Sequence, residues 1–168
     1  MSNRSPNRPT GPARTPQQDR GRTEVEPREW AYFEGEGEAA SIRPQLLDEE
    51  AKELAQQLKD MAKTQLRRYY NEVLNLQRRL DVTSEKLGGP QHREDAFRKL
   101  RIDFLMLKAK AHYAHARSKK IFPRPLLEFF VNHTHSVKTA RDFDAFCRHF
   151  QAVVAFHQYF GTKEEERT

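Results

Sequence analysis

The sequence contains a single cysteine, Cys147, and no long apolar run. One thiol cannot form an internal disulfide and cannot supply a cluster of thiolate metal ligands. No stretch approaches the ~20 apolar residues that span a bilayer, and the N-terminus lacks the apolar centre of a secretion signal. We therefore expect a soluble protein of the reducing cytoplasm, with no membrane as a partner.

Glycine and proline are scarce after residue 46 and fall in three groups, at Gly88–Pro90, at Pro123 and Pro125, and at Gly161. Between these groups apolar residues recur every three or four positions, and no segment alternates with period two. The pattern predicts an all-α fold without a sheet, a compact bundle of about five helices. The predicted core faces are Leu47, Ala51, Leu54, Leu58 and Met61; Leu66, Tyr69, Tyr70, Val73, Leu76 and Leu80; Phe97, Leu100, Phe104, Leu107, Ala111 and Ala114; Leu126, Leu127, Phe130, Val131 and Val137; and Phe143, Phe146, Phe150, Val153, His157 and Phe160.

Local signals suggest where these helices begin and end. Thr64 is the predicted N-cap of the second helix, and the fifth helix is predicted to open near Asp142 and to close at Gly161. Acidic pairs such as Glu94 with Asp95 stand at predicted helix starts, where capping and the helix dipole explain them.

The composition divides the chain into three predicted segments. Residues 1–44 form a disordered Arg/Pro-rich extension, residues 45–162 form the bundle, and residues 163–168 form a charged tail. The arginines of the extension either belong to a solvated tether, which we favour, or touch RNA weakly. Trp30, Tyr32 and Phe33 precede an acidic stretch and either dock a partner or fold back on the bundle.

Positive charge is concentrated in the predicted bundle. Residues 51–162 contain 21 lysines and arginines against 11 acidic residues, a net charge of +10, whereas the whole chain carries +6. Such a body either binds a polyanion or is simply well solvated. Rows of basic residues on the non-core sides of the second and third helices suit a phosphate backbone and predict sequence-independent RNA binding. The predicted RNA-binding residues are Lys63, Arg67, Arg68, Asn71, Arg78, Arg79, Lys108, Lys110, Arg117, Lys119 and Lys120.

The patterns of catalytic and metal sites are missing from the sequence. His112 with His115 and His133 with His135 are close in sequence, but no HExxH and no Glu-x-x-His pair accompanies them. Cys147 lies beside a predicted core face and is interpreted as a small buried hydrophobic residue. We therefore predict a protein that is not an enzyme and has no metal and no cofactor.

Three stretches, in order along the chain, resemble one protein family. Residues 64–73 (TQLRRYYNEV) are similar to the signature at the start of that family's second helix, and residues 107–117 (LKAKAHYAHAR) to its Leu-x-x-Lys-x-x-Tyr-x-x-x-Arg run. Residues 142–146 with 152–161 are similar to its closing helix. Together they resemble the small subunit of the type III-A CRISPR effector, the Csm complex, over about 115 residues.

The resemblance implies a non-catalytic helical subunit of an antiviral ribonucleoprotein. Several copies would stack head to tail beside the backbone subunits, with a basic face lining the channel that holds guide and target RNA. Cleavage and cyclic-oligoadenylate synthesis would belong to the backbone and large subunits, which are the implied protein partners. Carried over by position, the residues at the RNA would be Lys63, Arg67, Arg68, Lys110 and Arg117.

Two other functions compete with this hypothesis. One is a helical adaptor that binds proteins through its aromatic residues and uses its basic surface for solubility only. The other is a metal-dependent enzyme built in a helix bundle, which the missing ligand motif disfavours. Stacking would require an exposed apolar patch. The candidates for that patch are Trp30, Tyr32, Phe33, Met106 and Phe156.

Overall fold

A computed structural model of the chain describes residues 24–165, with the side chains of Glu38 and of residues 162–165 left aside. It confirms the predicted all-α bundle, in which five helices of nine or more residues follow a single helical turn. The helices are α1 (Pro44–Leu47), α2 (Glu49–Gln57), α3 (Lys63–Lys86), α4 (Arg93–Arg117), α5 (Arg124–Ser136) and α6 (Ala140–Glu165).

Phenylalanine rings from α4, α5 and α6 form the centre of the core. The Phe104 ring lies 5.4 Å from Phe143 and 5.5 Å from Phe146 between ring centroids, and Phe129 lies 5.8 Å from Phe146. Edge contacts at these distances add to the free energy gained by burying the rings. Cys147 is buried beside them with a free thiol, as predicted.

Two predicted helix boundaries are wrong. Helix α3 begins at Lys63 after Ala62, so that Thr64 lies inside its first turn and makes no cap. Helix α6 passes through Gly161 and ends at Glu165. Because a β-carbon built at position 161 would stand 2.6 Å from Cε of Lys63, the glycine makes room for a lysine that packs across the helix.

The start of α6 is capped by Asp142, the residue near which this helix was predicted to open. The Thr139 backbone N–H donates to Oδ2 of Asp142 at 2.9 Å, and the Asp142 N–H donates to Oγ1 of Thr139 at 3.1 Å. This reciprocal pair is a capping box. Glu94 accepts the Ala140 N–H at 2.8 Å and so satisfies a further free donor of the same helix. Asp144, in contrast, pairs with Arg93 on α4 at 2.7 Å.

The predicted disordered extension is wrong for residues 24–43, which pack on the bundle, whereas residues 1–23 lie outside the described part. Tyr32 is buried, and its hydroxyl contacts Nδ1 of His133 at 2.7 Å. The Trp30 backbone N–H donates to Oγ of Ser136 at 2.7 Å, and its indole N–H donates to Glu50 at 3.1 Å. Of the two alternatives for the aromatic triplet, docking to a partner or folding back on the bundle, the structure shows the second.

A small hairpin joins this segment to α1 and corrects the prediction that no strand forms. Strand β1 (Phe33–Glu34) pairs antiparallel with β2 (Ser41–Ile42), with Phe33 opposite Ile42. Gly35 and Gly37 turn the chain at positive φ angles of 90° and 60°, which side chains rarely adopt. Strands of two residues are too short to show a periodic pattern in the sequence.

Two histidines lie buried beneath Trp30. The ring centroids of His133 and His149 are 5.2 Å apart, and the Trp30 ring lies 4.8 Å and 5.5 Å from them. Burial lowers the pKa of His149 to about 3, helped by the charge of Arg43, and burial lowers that of His133 well below its ordinary value. Both rings are therefore neutral, and Nε2 of His133 and both ring nitrogens of His149 have no hydrogen-bond partner within the described residues.

Candidate nucleic-acid interface

Helix α3 separates its apolar residues from its basic residues. Leu66, Val73 and Leu80 are buried along one side, and the Tyr70 ring meets Phe150 of α6 at 5.7 Å. With 100° between successive residues, the side turned away from these contacts belongs to solvent. It carries the five exposed predicted RNA-binding residues Arg67, Arg68, Asn71, Arg78 and Arg79.

Helix α4 lies antiparallel beside α3, and two ion pairs fix the register between them. Lys110 donates to Glu72 at 2.7 Å, and Arg79 donates to Asp103 at 2.5 Å. The same register places Arg117 level with Gln65, so the end of α4 lies beside the start of α3. Pairs this exposed contribute at most about 1 kcal/mol each, but they partly neutralise Lys110 and Arg79.

The loop after α4 carries Lys119 and Lys120 and is held against the same end of α3. Phe122 is fully buried, and its ring meets Tyr69 of α3 edge to face at 4.7 Å. His115 donates from Nδ1 to the Phe122 carbonyl at 2.8 Å. Burial raises the pKa of Tyr69, against the opposing effect of the Arg68 charge, so the ring stays neutral and serves as packing.

These contacts gather most of the predicted residues into one patch, which we call the basic end. Its members are the exposed side chains Arg67, Arg68, Lys110, Arg117, Lys119 and Lys120. Lys63 lies at the same end of α3 but is partly buried against Gly161.

The remaining predicted residues lie elsewhere on the two helices. Arg78 and Arg79 lie about three helical turns beyond Arg67 and Arg68 along α3, level with Phe104 and Asp103, where acidic residues are mixed in. Lys108 lies on the α5 side of α4, in the row of Arg101, whose guanidinium reaches the Lys138 carbonyl at 3.3 Å. The predicted RNA-binding residues therefore do not all lie on one surface, because Arg78, Arg79 and Lys108 are separate from the basic end.

The basic end owes its charge to two stretches of sequence without acidic residues. There is no aspartate or glutamate from residue 61 to 71, and none from residue 104 to 127. Because α3 and α4 are antiparallel, the two stretches meet at one end of the helix pair. Glu72 is the acidic residue at its border, and it escaped the sequence analysis because its pairing with Lys110 depends on the register. In the described residues no ion pair joins Arg67, Arg68 or Arg117 to a carboxylate.

Among the side chains that the structure describes, no three of histidine, cysteine, aspartate or glutamate are grouped to hold a metal ion. A cavity of about 450 Å³ lies between the N-terminal segment and helices α2 and α5, with Trp30, Arg43 and Glu53 in its wall, and contains none of the predicted residues. None of the described helices is long and apolar enough to cross a membrane.

Comparison with known proteins identifies the family. The family model described as Csm2 Type III-A matches residues 41–163, which cover α1 to α5, all but the last two residues of α6, and both helices of the basic end. Neither the comparison with curated proteins nor the comparison with solved structures gives a match. The match spans most of the chain and agrees with the resemblance of its three helical stretches. The chain belongs to the Csm2 family and is a small subunit of the type III-A Csm complex of CRISPR systems.

Proposed function

We propose that this subunit is not an enzyme and that it binds guide and target RNA through the sugar-phosphate backbone at the basic end. The observation that carries the proposal is the meeting of the two acid-free stretches of α3 and α4 in one exposed patch. Arginine forks bind phosphate oxygens in a bidentate way, and lysines add point charges. Such contacts carry no sequence information, which suits a subunit that accompanies many different guides.

The rigidity of the patch supports this function. Arg67 and Arg68 project from a continuous helix whose other side is buried, and Lys119 and Lys120 lie on a loop held by the buried Phe122. A charged patch on fixed elements loses little conformational entropy when RNA binds. Several copies stacked along the complex, beside the backbone and large subunits, would present such patches to an extended RNA.

The proposal is tested with the purified full-length chain and a labelled single-stranded RNA of arbitrary sequence. Fluorescence anisotropy at several salt concentrations gives the affinity and the slope of log K against log salt. The triple variant Arg68→Ala, Lys110→Ala and Arg117→Ala should bind more weakly. Its slope should also be smaller by about 2, because each phosphate contact on a single strand contributes about 0.7.

A matched control removes three exposed charges away from the basic end, with Lys52→Ala, Lys86→Ala and Arg98→Ala. Net charge then changes equally in both variants, so only a localised site separates them. An equal loss of affinity in the two triple variants would mean that RNA is attracted by the net charge of the protein and not bound at the basic end. Unchanged affinity in the first variant would remove it as the RNA site.

A charge removed at the border of the patch should act in the opposite direction. Glu72→Gln abolishes the ion pair with Lys110 while the helical residue keeps a similar shape. Because the freed lysine then faces RNA without competition, affinity should rise severalfold at low salt and the salt slope should steepen. An affinity below that of the unaltered chain would contradict the assignment of Lys110.

A further inference from the structure

Helix α4 carries a tyrosine that the packing of the bundle does not use. Tyr113 is 69% exposed, and its side chain makes no hydrogen bond and no ring contact to any other residue that the structure describes. The two tyrosines of α3 differ from it. The Tyr69 ring meets Phe122 at 4.7 Å between centroids, and the Tyr70 ring meets Phe150 at 5.7 Å. Core packing therefore accounts for Tyr69 and Tyr70 and leaves Tyr113 without a structural role.

The position of Tyr113 on α4 puts its ring between two cations of the basic end. Lys110 lies one turn before it and Arg117 one turn after it, and all three side chains are exposed. With about 100° between successive residues, the three side chains project within about 60° of one another. The ring and the two positive charges therefore share one face of the helix.

Helix α3 adds a third cation beside the same ring. The ion pair of Lys110 with Glu72 sets the register of the two antiparallel helices, and this register brings Arg68 about level with Tyr113. Because Arg68 lies one turn before Glu72, it stands on the α4 side of the exposed face of α3. The Tyr113 ring is thus bordered by three basic side chains, those of Lys110, Arg117 and Arg68.

An exposed ring among cations suits a single strand of nucleic acid. The cations hold the phosphates, and a base that is free of its neighbours lies flat on the aromatic ring. Every base has a flat face, so this contact tolerates any sequence. In a duplex the bases are paired and stacked on one another, and none of them is free to lie on a ring.

The charge around Tyr113 favours a base over a protein side chain as the group that covers the ring. Exposed apolar residues also occur earlier on α4, where Ile102 is 75% exposed and Met106 is 49% exposed. Ile102 stands next to Asp103, which pairs with Arg79. Tyr113, in contrast, lies in the stretch from residue 104 to 127 that has no acidic residue. An unbalanced positive charge of this kind attracts a polyanion.

We infer that an unpaired base of the bound RNA stacks on the ring of Tyr113, while Lys110, Arg117 and Arg68 hold the phosphates on either side of that base. The inference rests on the proposed function and adds a ligand class to it. The basic end takes RNA that offers a free base, and it distinguishes such a strand from a fully paired duplex.

The test compares three variants of the full-length chain by fluorescence anisotropy with labelled RNA. Tyr113→Ala removes the ring from an exposed helical position, so the fold is kept, which circular dichroism checks. Tyr113→Phe keeps the ring and removes only the hydroxyl group. Ile102→Ala is the matched control, because it removes an exposed apolar side chain from α4 about three turns away from Tyr113.

Stacking predicts a loss of affinity that does not depend on charge. Tyr113→Ala should bind single-stranded RNA of arbitrary sequence roughly tenfold more weakly, whereas Tyr113→Phe and Ile102→Ala should bind it like the unaltered chain. The slope of log K against log salt should stay the same in Tyr113→Ala, because no phosphate contact is lost. The triple variant of Arg68, Lys110 and Arg117, in contrast, should have a smaller slope.

Two further ligands show whether the ring acts on a base. One is an oligonucleotide of the same length in which abasic sites replace all bases, and the other is a fully paired RNA duplex. Both keep their phosphates, but neither offers a free base. Tyr113→Ala should therefore bind each of them as tightly as the unaltered chain does.

Three results would overturn the inference. They are an unchanged affinity of Tyr113→Ala for single-stranded RNA, an equal loss of its affinity for the abasic ligand, and an equal loss in Ile102→Ala. In each of these cases salt-dependent binding that the triple variant weakens would leave the proposed function standing. If the unaltered chain bound no RNA at low salt, or if the triple variant bound as tightly as the unaltered chain, the proposed function would fail and the inference with it.

Discussion

Mild acid should destabilise this protein through its two buried histidines. His133 and His149 are neutral in the folded chain because burial lowers the pKa of each, that of His149 to about 3. In the unfolded chain both rings return to the ordinary value of 6.5. The unfolded state therefore binds more protons below that value. The contribution of the two neutral histidines to the free energy of unfolding is fully present above about pH 6.5. It is lost as the pH falls from 6.5 toward the folded pKa values.

The magnitude follows from the difference in pKa. At pH 5 the protonation of His149 stabilises the unfolded state by about 2 kcal/mol, and protonation of His133 lowers the stability further in the same direction. A typical domain is stable by only about 5–15 kcal/mol, so this loss is a large fraction of the total. Most paired carboxylates titrate at lower pH, which separates their contribution from that of the histidines.

Urea unfolding at pH 7.5 and pH 5 measures the effect, with the fluorescence of Trp30, the single tryptophan, as a local reporter. His149→Phe should reduce the loss of stability between the two pH values by about 2 kcal/mol, because a phenyl ring fits among aromatic neighbours and binds no proton. His112→Gln, a change on the surface of α4, should leave the loss as it is. If His149→Phe and the unaltered chain lost the same free energy of unfolding, the account of the buried pair would be refuted.

Three further substitutions test the packing. Arg93→Ala should lower the free energy of unfolding in urea by about 1–2 kcal/mol, because it leaves the two partly exposed carboxylates of Asp81 and Asp144 unpaired. An unchanged free energy of unfolding would contradict a stabilising role of these ion pairs. Trp30→Ala should cost about 2–3 kcal/mol in the same assay and raise the pKa of His149, followed by NMR, because the ring no longer covers it. Gly161→Ala should raise the free energy of unfolding by up to about 1 kcal/mol and with it the melting temperature, because alanine favours a helix and the flexible end of Lys63 can move aside. A lower melting temperature would contradict this.

The helices and their buried faces were predictable because burial leaves a periodic trace in the sequence. Leu66, Val73 and Leu80 recur at helical spacing and are all buried. The N-terminal segment leaves no such trace. Tyr32 and His133 are 101 positions apart, and their contact depends on the tertiary fold rather than on any local pattern. The Arg/Pro-rich composition of residues 1–44 therefore predicted disorder, whereas residues 24–43 pack on the bundle.

The sequence allowed us to predict which basic residues of the candidate site are exposed. It did not allow us to predict how these residues are arranged relative to one another. Helical spacing identified Arg67 and Arg68 as exposed, because their angular position relative to the core face decides exposure. Which residues of α3 lie beside which residues of α4 depends on the register of two helices, and nothing in either helix alone encodes it. For the same reason Glu72, which pairs with Lys110, escaped notice.

The most direct test of the central claim is photochemical cross-linking of RNA in the reconstituted Csm complex. The RNA carries 4-thiouridine along its length, and mass spectrometry identifies the peptides of this subunit that become attached to it. Cross-links should fall on the peptides that contain Arg67 with Arg68 and Arg117 with Lys119 and Lys120. Cross-links confined to α2, α5 or α6 would contradict the assignment of the basic end as the RNA-binding surface.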